Sequence, residues 1–186
     1  MKKTVRILGY LVGLLVLAVA GFATFVTARG IPNYDLKPAP VAAIAVTPAR
    51  VELGEKLVLA SCADCHRNAE TNSLSGHRLV DLTPDFGQVY SANITQDKTH
   101  GIGNWTDAQL VSLLRTGVGP DGRYRVIMPS FVHMSDEDMA SVVAFLRSDN
   151  PMVKADPTPS HAQEPSFLLK ALTNTVMQPT PAASAP

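Results

Sequence analysis

The chain holds two cysteines in 186 residues, and both fall in Ser61-Cys-Ala-Asp-Cys-His66. Two thiols three positions apart, with an imidazole directly after the second, share one turn of chain. The rest of the fold has to be built around that cluster. A redox-active dithiol of this spacing expects a βαβ setting, which the chain lacks. A structural zinc site wants four ligands, usually from a second Cys or His pair. His77 and His100 are available but do not have that spacing. A plain disulfide across two residues is strained and leaves His66 without a purpose.

The flanking sequence predicts three short helices. Thr47-Pro48 is a helix start with proline at the first helical position, and a helix over about 48–61 presents Val51, Leu57 and Val58. Residues 67–104 are rich in Asn, Ser, Thr, Asp and Gly and read as loop. Thr106-Asp-Ala-Gln109 is a capping-box pattern, followed by an apolar stripe at Leu110, Leu113 and Leu114 and closed by Gly117. Residues 117–134 form a further loop with turn chemistry at Pro120-Asp-Gly. Ser135-Asp-Glu-Asp138 caps a third helix whose stripe is Met139, Val142, Val143 and Leu146, with Arg147 in the last turn. Strand patterns are nearly absent.

Three short helices bury little, and loops of this length are unusual in a compact domain. Something large and apolar must fill the middle. Cys-x-x-Cys-His is the attachment signature of c-type haem. Cys62 and Cys65 can add to the two vinyl groups on one edge of a porphyrin, and His66 then reaches the iron through a ring nitrogen. The expectation is one covalently attached haem c. For the second axial position the candidate is Met128, in a loop stiffened by Pro129; a thioether there raises the reduction potential and closes the site to small ligands. Met134 and His133 are the alternatives. Met134 directly precedes Ser135 and also suits a hydrophobic staple.

Before this domain, Ile7 to Val26 is a run without a charge. Its twenty helical residues would span roughly 30 Å, the hydrocarbon thickness of a bilayer. Lys2, Lys3 and Arg6 precede it, which predicts a cytoplasmic N-terminus and export of everything after Arg29. Residues 1–29 are therefore read as a transmembrane anchor. A cleaved signal peptide ending at Ala18-Val-Ala20 is the competing reading. Apolar residues continue through Phe22, Phe25 and Val26, which favours the anchor.

Residues 30–47 are a Pro/Ala-rich linker, either a stiff spacer or an extended arm packed on the domain. Residues 48–149 are the folded domain. Residues 150–186 are a proline-rich tail, expected to be mostly extended or disordered, with a possible amphipathic helix at 166–176. That helix could lie on the domain's own core, on the bilayer or on a partner. The four bases of the first thirty residues leave the remainder with 12 bases against 16 acids, which argues against a nucleic-acid surface.

Three stretches together, VELGEKLVLASCADCH, SANITQDKTHGIGNWTDAQLVSLLRTGV and IMPSFVHMSDEDMASVVAFLRS, resemble the class I monohaem cytochromes c. They are most similar to the membrane-anchored members and to the cytochrome c modules linked to membrane dehydrogenases. The resemblance implies an all-α domain around one covalent haem, with the first and last helices crossing. Gly54 would allow their close approach near Val142–Phe145. It implies that the methionine of the Met128-Pro129 dipeptide is the sixth ligand and that Trp105 lies near the haem propionates. Arg115, Arg123, Tyr124 and Arg125 are candidate propionate partners, and Pro84 a candidate for the carbonyl that orients His66.

The function implied is that of an electron carrier rather than an enzyme. It would sit as a single-pass protein in the inner membrane with its haem domain on the periplasmic side. Electrons would pass from a membrane dehydrogenase or quinol-oxidising complex to an oxidase or soluble cytochrome. A peroxidase-like haem enzyme and a haem-bearing sensor or assembly subunit are the alternatives. Many dehydrogenase-linked members carry three haem motifs, whereas this sequence has one.

Overall fold

The computed structural model describes residues 2–181. The extreme ends of the expected anchor and tail, Met1 and residues 182–186, lie outside the described residues. Six helices appear in order: α1 (Lys2–Arg29), α2 (Pro48–Ser61), α3 (Ala63–His66), α4 (Asp107–Thr116), α5 (Asp136–Leu146) and α6 (Phe167–Thr173). A 3-10 turn at Pro84–Phe86 leads into β1 (Gly87–Gln88), which pairs antiparallel with β2 (Glu164–Pro165).

Local chemistry explains the helix ends. Thr47 accepts from the Arg50 N–H and Pro48 occupies the first turn, so α2 starts there. Thr106 and Gln109 form a full capping box at α4, and Gly117 leaves it in the left-handed conformation at φ 78°. Ser135 accepts from the Asp138 N–H, and Asp136, Glu137 and Asp138 place three acids on the positive end of the α5 dipole.

The centre of the domain is the crossing of α2 and α5, the most extensive helix contact. Gly54 lies under it. A Cβ built there would stand 2.0 Å from the Ser141 carbonyl oxygen and 2.8 Å from the Phe145 Cβ, so only glycine fits. Val58, Leu74, Ile102, Leu110, Leu114, Met139, Val142, Val143, Phe145, Leu146 and Val153 form one continuous core. Arg147, at the C-terminus of α5, donates to the Ile102 and Trp105 carbonyls and pairs with Asp107 at 3.3 Å. It thereby ties the loop before α4 to the end of α5.

The long irregular stretch is held by backbone pairing to the far end of the domain. The Leu74 N–H donates to the Met152 carbonyl, Ile94 to Leu74, and Gln96 to Val153. A polar knot stitches the same region to residues 156–160. The Asn93 amide donates to the carbonyls of Asp156 and Thr158, and Asp156 accepts from Ser73 at 2.5 Å and Thr158 at 2.5 Å. The first half of the tail is therefore fastened along the domain rather than loose. Its prolines keep it extended while its polar groups find partners in the loop.

Of residues 30–47, the first five and Ile44 lie against the domain, while 35–40 are exposed. The Tyr34 N–H donates to the Gly122 carbonyl at 2.8 Å, Asn33 bridges Arg123, and the Tyr34 ring stands edge-on to Tyr124. Ile44 packs against the core. The tail returns to the same place: the Tyr124 hydroxyl donates to the Gln178 carbonyl, and Thr180 bonds Thr116 and Ser130. The main contacts of α6 are with the end of α1 and the 3-10 turn, not with the three-helix core. The Asn174 amide donates to the Gly30 carbonyl at 2.8 Å, and Val26 is fully buried at the junction.

Helix α1 is otherwise exposed along its length, and it is long and apolar enough to cross a membrane.

Candidate functional site

Helix α2 ends in a tight turn that delivers the cysteine cluster. The Cys62 N–H closes α2 on the Val58 carbonyl, and the Cys62 carbonyl then accepts from both Cys65 (3.2 Å) and His66 (2.9 Å) as α3 begins. This single turn gathers the two thiols and the imidazole. Neither thiol is in a disulfide; Cys62 is half-buried and Cys65 exposed. Burial, with a smaller contribution from Cys65, pushes the Cys62 thiol up to about 11. A redox dithiol needs the opposite, a thiol held as thiolate near neutral pH. Among the described residues no three His, Cys, Asp or Glu side chains gather into a site for a bare metal ion.

His66 is oriented by one bond. Its Nδ1 lies 2.8 Å from the Ala92 carbonyl. A carbonyl can only accept, so Nδ1 carries the proton and Nε2 keeps a free lone pair. Burial pulls the pKa of His66 down, against the Ala92 bond, which raises it; nearby His77 adds a further lowering. The ring is thus held neutral, in the form that binds a metal.

The orienting carbonyl is not that of Pro84. Pro84 opens the 3-10 turn, and its carbonyl accepts from Gly87. Ala92 takes the role because the next residue, Asn93, folds an Asx turn: its Oδ1 accepts from the Thr95 N–H at 2.9 Å and the Thr95 hydroxyl at 2.7 Å. That Asn-x-Thr pattern is the only trace of this carbonyl in the sequence.

The second wall is the loop 117–134. Met128 is half-buried against the core cluster that also receives Cys62, Ile94, Trp105, Phe131 and Met134. Met134 lines an apolar notch beside Cys62 together with Leu57, Leu114, Phe131 and Val142. His133 is exposed. Trp105 is half-buried against the same cluster.

The cationic candidates are engaged elsewhere. Arg115 donates to the carbonyls of Phe131, Val132 and Met134 and pairs with Asp136 at 2.7 Å, so it fastens the loop after Met128. Arg125 pairs with Asp121 at 2.9 Å, and Arg123 is exposed beside the same carboxylate. The Tyr124 hydroxyl is held by the tail.

One further atom bears on what the site accepts. The Nδ1 of His77, next along the chain from the Gly76 that bonds the His66 carbonyl, is buried and has no partner among the described residues. Buried polar atoms are nearly always paired, so a group from outside the chain is wanted there. Two free thiols, a preset imidazole, a thioether on the same apolar cluster and an orphan imidazole nitrogen together fit a haem. Cys62 and Cys65 would hold its edge, His66 and a methionine its iron, and Trp105 its polar rim.

The cytochrome c family model matches residues 51–149. A diheme cytochrome c-type protein of Cereibacter sphaeroides is 39% identical over 112 residues, covering 55% of this chain and 37% of that protein. The fructose dehydrogenase cytochrome subunit of Gluconobacter japonicus is 34% identical over 117 residues, covering 61% and 24%. The cytochrome c subunit of the quinone alcohol dehydrogenase of Gluconacetobacter polyoxogenes is 34% identical over 105 residues, covering 54% and 22%. The matched stretch thus spans 22% to 37% of these relatives' own length.

Proposed function

The chain belongs to the cytochrome c family, and from that premise we propose that it is a membrane-tethered, single-haem electron carrier serving a dehydrogenase or quinol-oxidising complex. The chain is a carrier and catalyses no bond chemistry of its own. Bound haem supplies an iron that takes up and releases one electron. This chain's residues decide how that happens. Cys62 and Cys65 would hold the ring edge through thioether links, and the lone Cys-x-x-Cys-His motif supports a count of one haem. Ala92 orients His66 so that Nε2 would be offered to the iron in both redox states. Met128 would be the second iron ligand, in keeping with the half-buried position of its loop; Met134 lines the notch between α2, α4 and α5. With neither ligand leaving, little reorganisation accompanies transfer, and a Met/His pair places the potential on the positive side. Trp105 would offer its indole N–H to a propionate. Arg125 would join it only by giving up Asp121.

Helix α1 holds the protein in the inner membrane with the haem domain on the periplasmic side, as Lys2, Lys3 and Arg6 direct. The partners are a membrane dehydrogenase as donor and an oxidase or soluble cytochrome as acceptor. The observation that carries the reading is the 2.8 Å bond from His66 to Ala92, which leaves the other ring nitrogen free beside two unpaired thiols.

The test is spectroscopic. The purified holoprotein should run coloured on a denaturing gel at peptide mass plus one haem. Met128→Ala should abolish the far-red thioether band of the oxidised form and lower the potential, while Met134→Ala should keep the band. The reverse pattern would assign Met134, and a colourless band at bare peptide mass would end the proposal. Recovery of a dehydrogenase subunit with the anchored protein from mild detergent tests the partner.

A further inference from the structure

Helix α6 buries one side and leaves another uncovered. Leu169 and Thr173 are fully buried against the end of α1 and the 3-10 turn. One position round the helix, Leu168, Leu172 and Val176 recur at i, i+4, i+8, with Leu172 half-buried between two exposed neighbours. Leu168 is 45% and Val176 73% exposed, and Phe167 beside them is 49% exposed. The Val176 N–H bonds the Leu172 carbonyl, so the stripe continues one turn past the formal helix. Isolated exposed apolar residues need no account, but a contiguous stripe does.

Its position says what covers it. Asn174 bonds the Gly30 carbonyl and Arg29, and Val26 is buried at the same junction. Val26 is the last large apolar residue before Arg29, so α6 is fastened where α1 would leave the hydrocarbon. Phe167 lies seven residues from Asn174, about 10 Å at helical rise. The headgroup layer is roughly 5–7 Å deep on each side, and interfacial helices bury an apolar face about 5–10 Å into it. The Asn174 end of α6 therefore starts at the level of that layer. Arg29 and Lys170 at the junction suit lipid phosphates, and Arg29 stacks over Phe25 at 5.5 Å.

We propose that Phe167, Leu168, Leu172 and Val176 form a membrane-seating surface that rests in the lipid headgroup layer beside α1. This rests on the reading of α1 as a bilayer anchor and adds a second, peripheral contact to it. Photocrosslinking in the native membrane separates the two. The full-length holoprotein carries p-benzoylphenylalanine in place of either Leu15 or Leu168, both exposed, and is irradiated and analysed by mass. Lipid adducts at both positions are expected. Lipid at 15 with either no adduct or a protein adduct at 168 overturns the seating surface, the latter in favour of a partner subunit, and leaves the anchor standing. No lipid adduct at 15 overturns the anchor and the seating surface with it.

Discussion

Gly54→Ala is the substitution on which helix propensity and packing disagree in sign. In an exposed helix interior the change stabilises by about 1 kcal/mol, because alanine loses less backbone entropy. At the α2–α5 crossing the new Cβ would stand 2.0 Å from the Ser141 oxygen, 2.6 Å from its carbonyl carbon and 2.8 Å from the Phe145 Cβ. Two of these atoms are backbone, so no rotamer change relieves them. The helices must part by roughly 1 Å or more, and overpacking of this kind costs about 1–3 kcal/mol or somewhat more. Packing should win because Ser141, Val142 and Phe145 are fully buried and have nowhere to move. The net loss expected is about 1–2 kcal/mol, a melting-point drop on the order of 5–15 °C for a domain of this size. The assay is guanidinium unfolding of the detergent-solubilised holoprotein, followed in the haem absorption band. Gly13→Ala in α1, where a Cβ meets nothing within 4 Å, is the matched control and should leave the midpoint unchanged or higher. A Gly54→Ala protein as stable as its parent would refute the claim that this crossing is set by direct backbone contact.

Three further outcomes follow from the same geometry. Burial works to raise the pKa of Asp156, but hydrogen bonds from Ser73 and Thr158 outweigh it and hold the carboxyl near about 2. Its contribution to stability is therefore present above pH ~4 and lost as pH falls from about 4 to about 2. It amounts to at most about 2 kcal/mol, and less with the carboxylate partly solvated; Asp156→Asn should flatten that acid limb of the unfolding midpoint relative to the parent. Ser135→Ala removes the cap of α5 and should cost about 1 kcal/mol, read as a lower guanidinium midpoint with unchanged slope. Arg147→Lys cannot reach the Ile102 and Trp105 carbonyls together with Asp107. It should destabilise by about 2 kcal/mol and raise amide exchange in residues 101–105 above that in α2.

The helix ends and the cysteine turn were legible because their rules are local. Thr106 with Gln109, Ser135 with Asp138, Gly117, and the Cys62–His66 spacing each act within four or five residues. What escaped was carried by groups that leave no residue-type signature. The carbonyl that orients His66 belongs to Ala92, 26 positions away, and any residue there would offer the same oxygen. The arm and tail are fastened in part through backbone pairs such as Tyr34 to Gly122 and Thr180 to Thr116, which composition reads only as proline-rich spacer. Arg115 shows the same limit. Its charge finds a carboxylate in Asp136, but the three backbone carbonyls of one loop that also hold it carry no residue-type signature.

The pinned arm changes how such a carrier can search for partners. Between the end of α1 and the first bond to the loop 117–134 lie only Gly30, Ile31 and Pro32, and Gly30 is itself held by Asn174. A domain on a free proline-rich leash would sweep a hemisphere and could serve donors and acceptors at different heights. With the leash stowed against its own flank and α1 as the proposed anchor, encounters would come from drifting sideways in the sheet of lipid, and the electron would leave at one fixed elevation. Partners must then offer their own redox centre at that height.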